Sequence, residues 1–164
     1  MPALRASPPQ FARAGGDTVR ILSTPALTRP YRESDEDQVV ALWQECGLTR
    51  PWNDPHKDIA RKLHVQRELF LVVERAGRIA ATIMAGHDGH RGWVYYLAVA
   101  PAQRGQGIAT QLMRRVEQEL LARGCPKLSL LVRSTNAGVL AFYGKLGYAQ
   151  DESVPLGKRL ICDE

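Results

Sequence analysis

Little in this sequence invites a covalent framework or a membrane. Its 164 residues include three cysteines, Cys46, Cys125 and Cys162, scattered and with no Cys-x-x-Cys pair. That excludes a disulfide scaffold, a zinc ribbon and a dithiol redox motif, and it points to a reducing compartment. No run of about 18 apolar residues occurs, so no membrane-spanning helix is expected. Gly-Lys-Ser/Thr is absent, which removes a Walker A loop. No internal repeat or low-complexity block appears. What is there, 45% apolar and 24% charged residues, is ordinary globular composition and excludes wholesale disorder and collagen.

The net charge of +5 is unevenly placed. Residues 1–32 hold five arginines against the single acid Asp17, whereas the remaining chain is nearly neutral, with 17 bases and 16 acids. A basic segment of this kind is weak support for a nucleic-acid surface, which needs bases clustered on a folded face. Residues 1–25 mix Pro2, Pro8, Pro9, Gly15, Gly16 and Pro25 with Arg and Ala. They read as a disordered tail without the long apolar stretch of a secretory signal, organelle targeting being the minor alternative. A single folded domain is expected over 26–164.

Within it, Ala26–Arg32 reads as a first strand. Ser34 and Asp37 resemble a capping box before Val39, Leu42, Trp43 and Cys46, which recur at helical spacing up to Gly47. Asp54-Pro55 is an N-cap followed by Pro, opening a second helix that buries Ile59 and Leu63. Leu69–Glu74, Ile79–Gly86 and Trp93–Val99 read as an antiparallel meander, turning at Ala76-Gly77-Arg78 and Asp88-Gly89. A helix follows, with Ile108, Leu112, Val116 and Leu120 every fourth residue, closed by Gly124 and Pro126. Lys127–Val132 is a strand, Asn136–Leu146 a helix ended by Gly147, and Tyr148–Ile161 one or two closing strands. The whole is a mixed α/β (α+β) sheet protein.

The chemically informative stretch is Leu97-Ala98-Val99-Ala100-Pro101-Ala102-Gln103-Arg104-Gly105-Gln106-Gly107-Ile108-Ala109, a strand, a glycine loop and the start of a long helix. Free amides and the dipole at a helix start form an anion site. Gly105 and Gly107 let the backbone approach a phosphate, and Arg104 adds positive charge. A dinucleotide fingerprint fits poorly. Thr110 stands where its third Gly or Ala is needed, and the expected acid about 20 residues on falls in the Gly124-Cys125-Pro126 break.

The run from Val99 to Ala109 resembles the acyl-CoA-binding motif V-x-P-x-x-R-G-x-G-I-A of the GNAT superfamily of N-acetyltransferases. A second motif follows in the right order. Asn136-Ala137-Gly138-Val139-Leu140-Ala141-Phe142-Tyr143-Gly144-Lys145-Leu146-Gly147-Tyr148 is similar to N-x-x-A-x-x-F-Y-x-x-L-G-F, with Val139 where the family often has Ala. The segments Arg50–Pro55 and Gly86–Gly92 resemble a poorly characterised bacterial subgroup. The resemblance implies a GNAT fold, with a central, mostly antiparallel sheet of about six to seven strands, flanked by about four helices and splayed in its middle for acyl-CoA. It implies that Arg104, Gly105, Gln106, Gly107, Ile108 and Ala109 bind the diphosphate of acetyl-CoA. Leu97, Ala98 and Val99 would pair with the pantothenate arm, Asn136 would contact that arm, and Tyr143 would serve as general acid. No metal is implied.

A phenol of pKa about 10 can protonate a leaving thiolate if held within reach. On residue type alone, Tyr143 reads first as a core residue beside Phe142 and Leu146, and it is the motif that favours the acid. An amine acceptor also needs a proton acceptor, yet Trp93–Val99 carries no carboxylate. Asp88, His87, His90 and Asp54 are candidates, against the plainer readings of Asp88-Gly89 as a turn and Asp54 as a cap. His87 and His90 lack a third metal ligand at suitable spacing. Trp52, Trp93, Tyr95 and Tyr96 either line an acceptor groove or pack in the core. The expectation is a cytoplasmic N-acetyltransferase, monomeric or homodimeric, acting on an amine and engaging neither nucleic acid nor membrane. The rivals are a non-catalytic acyl-CoA sensor and a nucleic-acid module driven by the basic tail.

Overall fold

A computed structural model describes residues 26–163; the expected tail over 1–25 lies outside them. Among the described residues, five strands form one sheet in chain order: β1 (Leu27–Pro30), β2 (Phe70–Arg75), β3 (Arg78–His87), β4 (Gly92–Val99) and β5 (Leu128–Leu130). The first four pair antiparallel, and β5 runs parallel to β4. Four helices flank the sheet: α1 (Glu36–Glu45), α2 (Pro55–Leu63), α3 (Ile108–Ala122) and α4 (Ala137–Lys145).

Alternation along β2 and β3 explains the layering. Leu71, Val73, Ala81, Ile83 and Ala85 face one cluster with Ile108, Leu112, Met113, Val116 and Leu120 of α3. Phe70, Val72 and Met84 face the other, with Val39, Val40, Leu42 and Trp43 of α1 and Ile59 of α2. Both faces are covered, so these strands read as continuous apolar runs rather than alternating ones. The meander, its turns and the helix stops fall where the sequence puts them. Ala76 (φ +50) and Gly77 (φ +73) form the two-residue turn, and Gly47 and Gly124 close α1 and α3 with positive φ.

Four expectations need correction. The sheet has five strands, not six to seven, and Tyr148–Ile161 forms no strand among the described residues. The strand expected over Lys127–Val132 pairs for only three residues, which leaves no long ladder to template further strands. The chain beyond Tyr148 is instead held by side chains: Lys127 Nζ bonds Asp151 at 2.7 Å, and Asp163 accepts from Arg61 and from Asp54 N–H. The cap before α1 also differs. Asp35, not Asp37, closes the box, accepting the Arg32 N–H at 2.8 Å, because Glu33–Asp35 forms a 3-10 turn that shifts the register.

Gly92, at the root of the β4–β5 pair, is required by space. A Cβ there would sit 2.8 Å from Leu120 Cδ1 and 3.0 Å from Cys125 Sγ. A partly buried ion triad, with Asp35 its buried member, ties β1 to β2 and to the turn before α1. Arg29 binds both carboxylate oxygens of Asp35, at 2.7 and 2.9 Å, and Glu74 at 2.7 Å.

Breaking this triad strands buried charge, so Arg29→Ala should destabilise the fold by about 3 kcal/mol at pH 7, read by urea denaturation. The Arg29 hydrogen bond holds the Asp35 carboxyl below its ordinary range. A depressed pKa contributes stability above the unfolded value and loses it as pH falls through the folded one. The gap between wild type and Arg29→Ala should therefore narrow as pH drops below about 4.

Candidate functional site

Strand β4 leads directly into the glycine loop. Pro101–Gln103 makes a 3-10 turn, and Gly105 (φ +74) and Gly107 (φ +77) take left-handed backbone. Gly107 is the N-cap of α3 and supplies no side-chain cap, so the first amides of α3, at Ile108 and Ala109, keep their donors. A Cβ on Gly105 or Gly107 would meet nothing within 4 Å, so the space beside them is open. Left-handed glycines ahead of uncapped amides make an anion cradle.

Arg75, at the end of β2, braces this loop. Its Nη1 donates to Oε1 of Gln103 at 2.6 Å and of Gln106 at 2.7 Å. Arg104 is exposed and folds back, its Nε donating to the Val99 carbonyl at 3.1 Å. Ala100 N–H donates to Ala80 O at 2.8 Å. Antiparallel alternation therefore turns the Val99 peptide groups away from β3. They face a gap, because β5 pairs only with Gly92–Val94 and the sheet stands open on that side from Tyr95 to Val99. Ala98 is buried against α1, and Leu97 packs on the α3 side.

The opening coincides with a bulge in β4. Thr82 pairs with Ala98 but Met84 with Tyr95, so Tyr96 and Leu97 together oppose Ile83. Tyr96 carries the extra turn at φ +51, a costly conformation for a non-glycine residue. Its surroundings over-determine it. The ring stacks on Trp43 at 3.8 Å between centroids. Buried Thr82 Oγ1 donates to the Tyr96 carbonyl at 2.9 Å and accepts Trp43 Nε1 at 2.9 Å. Tyr96 Oη donates to Asp58 Oδ2 at 2.6 Å. Burial, then this carboxylate, raises the Tyr96 pKa and keeps the phenol protonated.

Beside the bulge lies a cavity of about 820 Å³, between α2, the end of β3 and the first half of β4. Its walls include Asn53, Asp58, Arg61, Lys62, Tyr95, Tyr96, Trp93 and Arg133. Of the aromatics expected in an acceptor groove, Trp93, Tyr95 and Tyr96 are here; Trp52 is exposed elsewhere. Asp88 is tied into the turn, accepting from the N–H of His90 and Arg91 at 2.8 and 2.7 Å. These amides hold its carboxyl down to about 2. Asp54 caps α2, accepting the His56 N–H at 2.8 Å. Both take the plainer of their two readings.

Tyr143 sits in the apolar cluster around α3, only 8% exposed, edge-on to Phe142 and Tyr148. Its hydroxyl has no hydrogen-bond partner among the described residues, and burial pushes its pKa up to about 12. Leu97, Val99 and Ile108 border the same cluster. Asn136 is exposed and caps α4, its Oδ1 accepting the Val139 N–H at 3.2 Å. Its Nδ2 remains without a partner among the described residues.

Sequence reasoning missed Arg75, Asp58, Lys62, Thr82 and Arg133. Asp58 and Lys62 share one face of α2 at an i,i+4 spacing, but that spacing describes any solvated helix pair equally well. Thr82 lies in an otherwise apolar strand, and only the bulge gives its hydroxyl a task.

Residues 29–148 match the model of the acetyltransferase (GNAT) family. The chain is 51% identical over 136 residues to an acetyltransferase of Yersinia enterocolitica, covering 83% of this chain and 96% of that protein. An acetyltransferase of Sodalis glossinidius is 53% identical over 137 residues, with the same coverage. Among solved structures, AAC(6')-Iy in complex with the bisubstrate analogue CoA-S-monomethyl-acetylneamine superposes with a TM-score of 0.70 at 15% identity, over 84% of this chain and all of that one. A predicted acetyltransferase with acetyl-CoA from Clostridium acetobutylicum gives 0.62 at 22%, over 81% and 96%. These likenesses support the fold.

Thr82→Val keeps the volume but leaves the Trp43 indole N–H and the Tyr96 carbonyl without their shared hydroxyl. Two buried polar groups then lose a partner, and stability should fall by about 2–4 kcal/mol in a denaturant titration. A change below about 0.5 kcal/mol would show that the bulge stands without this bridge.

Proposed function

This chain belongs to the GNAT acetyltransferase family, and on that premise we propose that it moves the acetyl group of acetyl-CoA to a primary amine. The transfer proceeds by direct attack in a ternary complex. The observation that carries this reading is the course of β4. The strand walls a cavity with its first half, opens its edge at the bulge, and ends in uncapped amides. A diphosphate held by the amides of Gly105–Ala109 lets the pantetheine arm run back along Leu97–Val99 towards that cavity. Outward-facing peptide N–H groups on this edge can also receive the oxyanion; losing such a donor typically costs 10²–10³ in rate. The free Nδ2 of Asn136 suits an amide carbonyl of the same arm.

The neutral amine nitrogen adds to the thioester carbon, and the tetrahedral adduct then collapses as the C–S bond breaks. One proton leaves nitrogen and one reaches sulfur, so the products are an amide and a free thiol. Tyr143 stays protonated throughout the physiological range and serves as donor to the departing sulfur. Among the pocket carboxylates, Asp88 is committed to a turn, whereas Asp58 faces the cavity, its carboxylate accepting from Tyr96 Oη and Arg61 Nη1. We assign Asp58 to take the proton that frees the bound ammonium as a neutral amine for attack; the proton that nitrogen then sheds in the tetrahedral adduct balances the one Tyr143 gives to sulfur. The free thiols of Cys46, Cys125 and Cys162 suit a reducing, cytoplasmic setting.

Thiol release from acetyl-CoA over a panel of amines tests the reaction. Tyr143→Phe should lower kcat by 10²-fold or more with the acetyl-CoA Kd unchanged by calorimetry, since general acids contribute about 10²–10⁴. An unchanged kcat removes Tyr143 from the mechanism. Gly107→Asp should abolish acetyl-CoA binding, because a carboxylate would occupy the cradle; retained affinity overturns the diphosphate site. Acetyl-CoA binding without thiol release from any amine would mark a binding protein instead.

A further inference from the structure

Lys62 is a cation that the reaction just described does not use. Its Nζ bonds the Ala85 carbonyl and makes no ion pair among the described residues. The carboxylate that acts on it from a distance, Glu68, is already engaged by Arg123 at 3.0 Å. Burial holds the lysine down to about 8, so it remains largely protonated at neutral pH. A half-buried ammonium without a counter-charge is unfavourable unless something anionic joins it. Space for such a group exists in the cavity, whose wall includes Lys62. The Arg133 side chain, which lines the same cavity, makes no ion pair or hydrogen bond among the described residues. Arg61, by contrast, is taken by Asp58 and Asp163.

We propose that Lys62 and Arg133 form an anion subsite, and that the acceptor is a small primary amine bearing a carboxylate, as in a free amino acid. This rests on the acetyl-transfer reading above. Asp58 and Lys62 lie at i and i+4 on α2, so the groups that hold the two ends of the acceptor are about 5–6 Å apart at their Cβ atoms. That separation suits an ammonium and a carboxylate within one compact molecule. The cavity volume is also in the range of small-molecule sites, about 300–1,000 Å³.

The test compares amino acids with their own carboxamides, which keep the amine and lose the anion. Steady-state thiol release by the full chain should give a kcat/KM at least tenfold higher for the acids. Lys62→Met, which keeps the stem and removes the charge, should raise the KM of the acids about tenfold and close most of that gap. Lys62→Arg should restore the preference, and the acetyl-CoA Kd should not move in either variant. Carboxamides or simple diamines accepted as well as the acids would overturn the proposal, as would acetylation confined to lysine side chains of peptides. Calorimetry of the same pairs against the coenzyme A complex reads recognition apart from turnover. Acids binding no tighter than carboxamides overturn the subsite. Acids that bind tighter without thiol release support it, and the transfer reading alone then fails.

Discussion

The bulge at Tyr96 is the constraint on which the molecule turns. A regular antiparallel strand would keep both edges of β4 paired or sterically similar along its length. One surplus residue redirects the strand, and β5 follows it for only three positions. The left-handed Tyr96 backbone would relax if it were alone. Stacking on Trp43, the Thr82 hydroxyl and the Asp58 carboxylate hold it from three directions. Helices α1 and α2 therefore do more than cover a sheet face, since each supplies one side chain that fixes the distortion. Strain kept in place by surrounding structure is a feature of functional sites.

Much of the fold was legible because its signals are local. The Asp54-Pro55 cap, the glycine stops and the four-residue spacing in α3 each depend on neighbours in sequence. The glycine loop was legible for the same reason, since its uncapped amides need only a strand, a turn and a helix to be placed. What failed was non-local. Tyr148–Ile161 has a fair strand composition, but a strand needs an edge to pair with, and the brevity of β5 removes it. The acid that closes the first box is Asp35 rather than Asp37 because the 3-10 turn at Glu33–Asp35 shifts the register, and Arg29 of β1 then pairs with that carboxylate.

The site was half legible on the same principle. Backbone-based binding could be read from Val99–Ala109, and the aromatics of β4 were suspected. The polar residues that complete the cavity could not be read, because Asp58 and Lys62 look like any exposed pair on an amphipathic helix. Their roles arise only when α2 lies across the ends of β3 and β4. Tyr143 illustrates the opposite difficulty. Its motif marks it as a donor and its burial marks it as core, and a phenol needs both a dry setting and an open hydroxyl to act on a leaving group.

One strand thus borders both parts of the candidate site, the cavity at Trp93–Tyr96 and the glycine loop after Val99. At about 3.3 Å per residue, the strand works as a fixed ruler between them. Inserting or deleting a single residue within it would move one end by that step and invert the facing of every side chain beyond. A change of length is therefore accommodated in turns such as Asp88–Arg91 and not in the span from Gly92 to Val99.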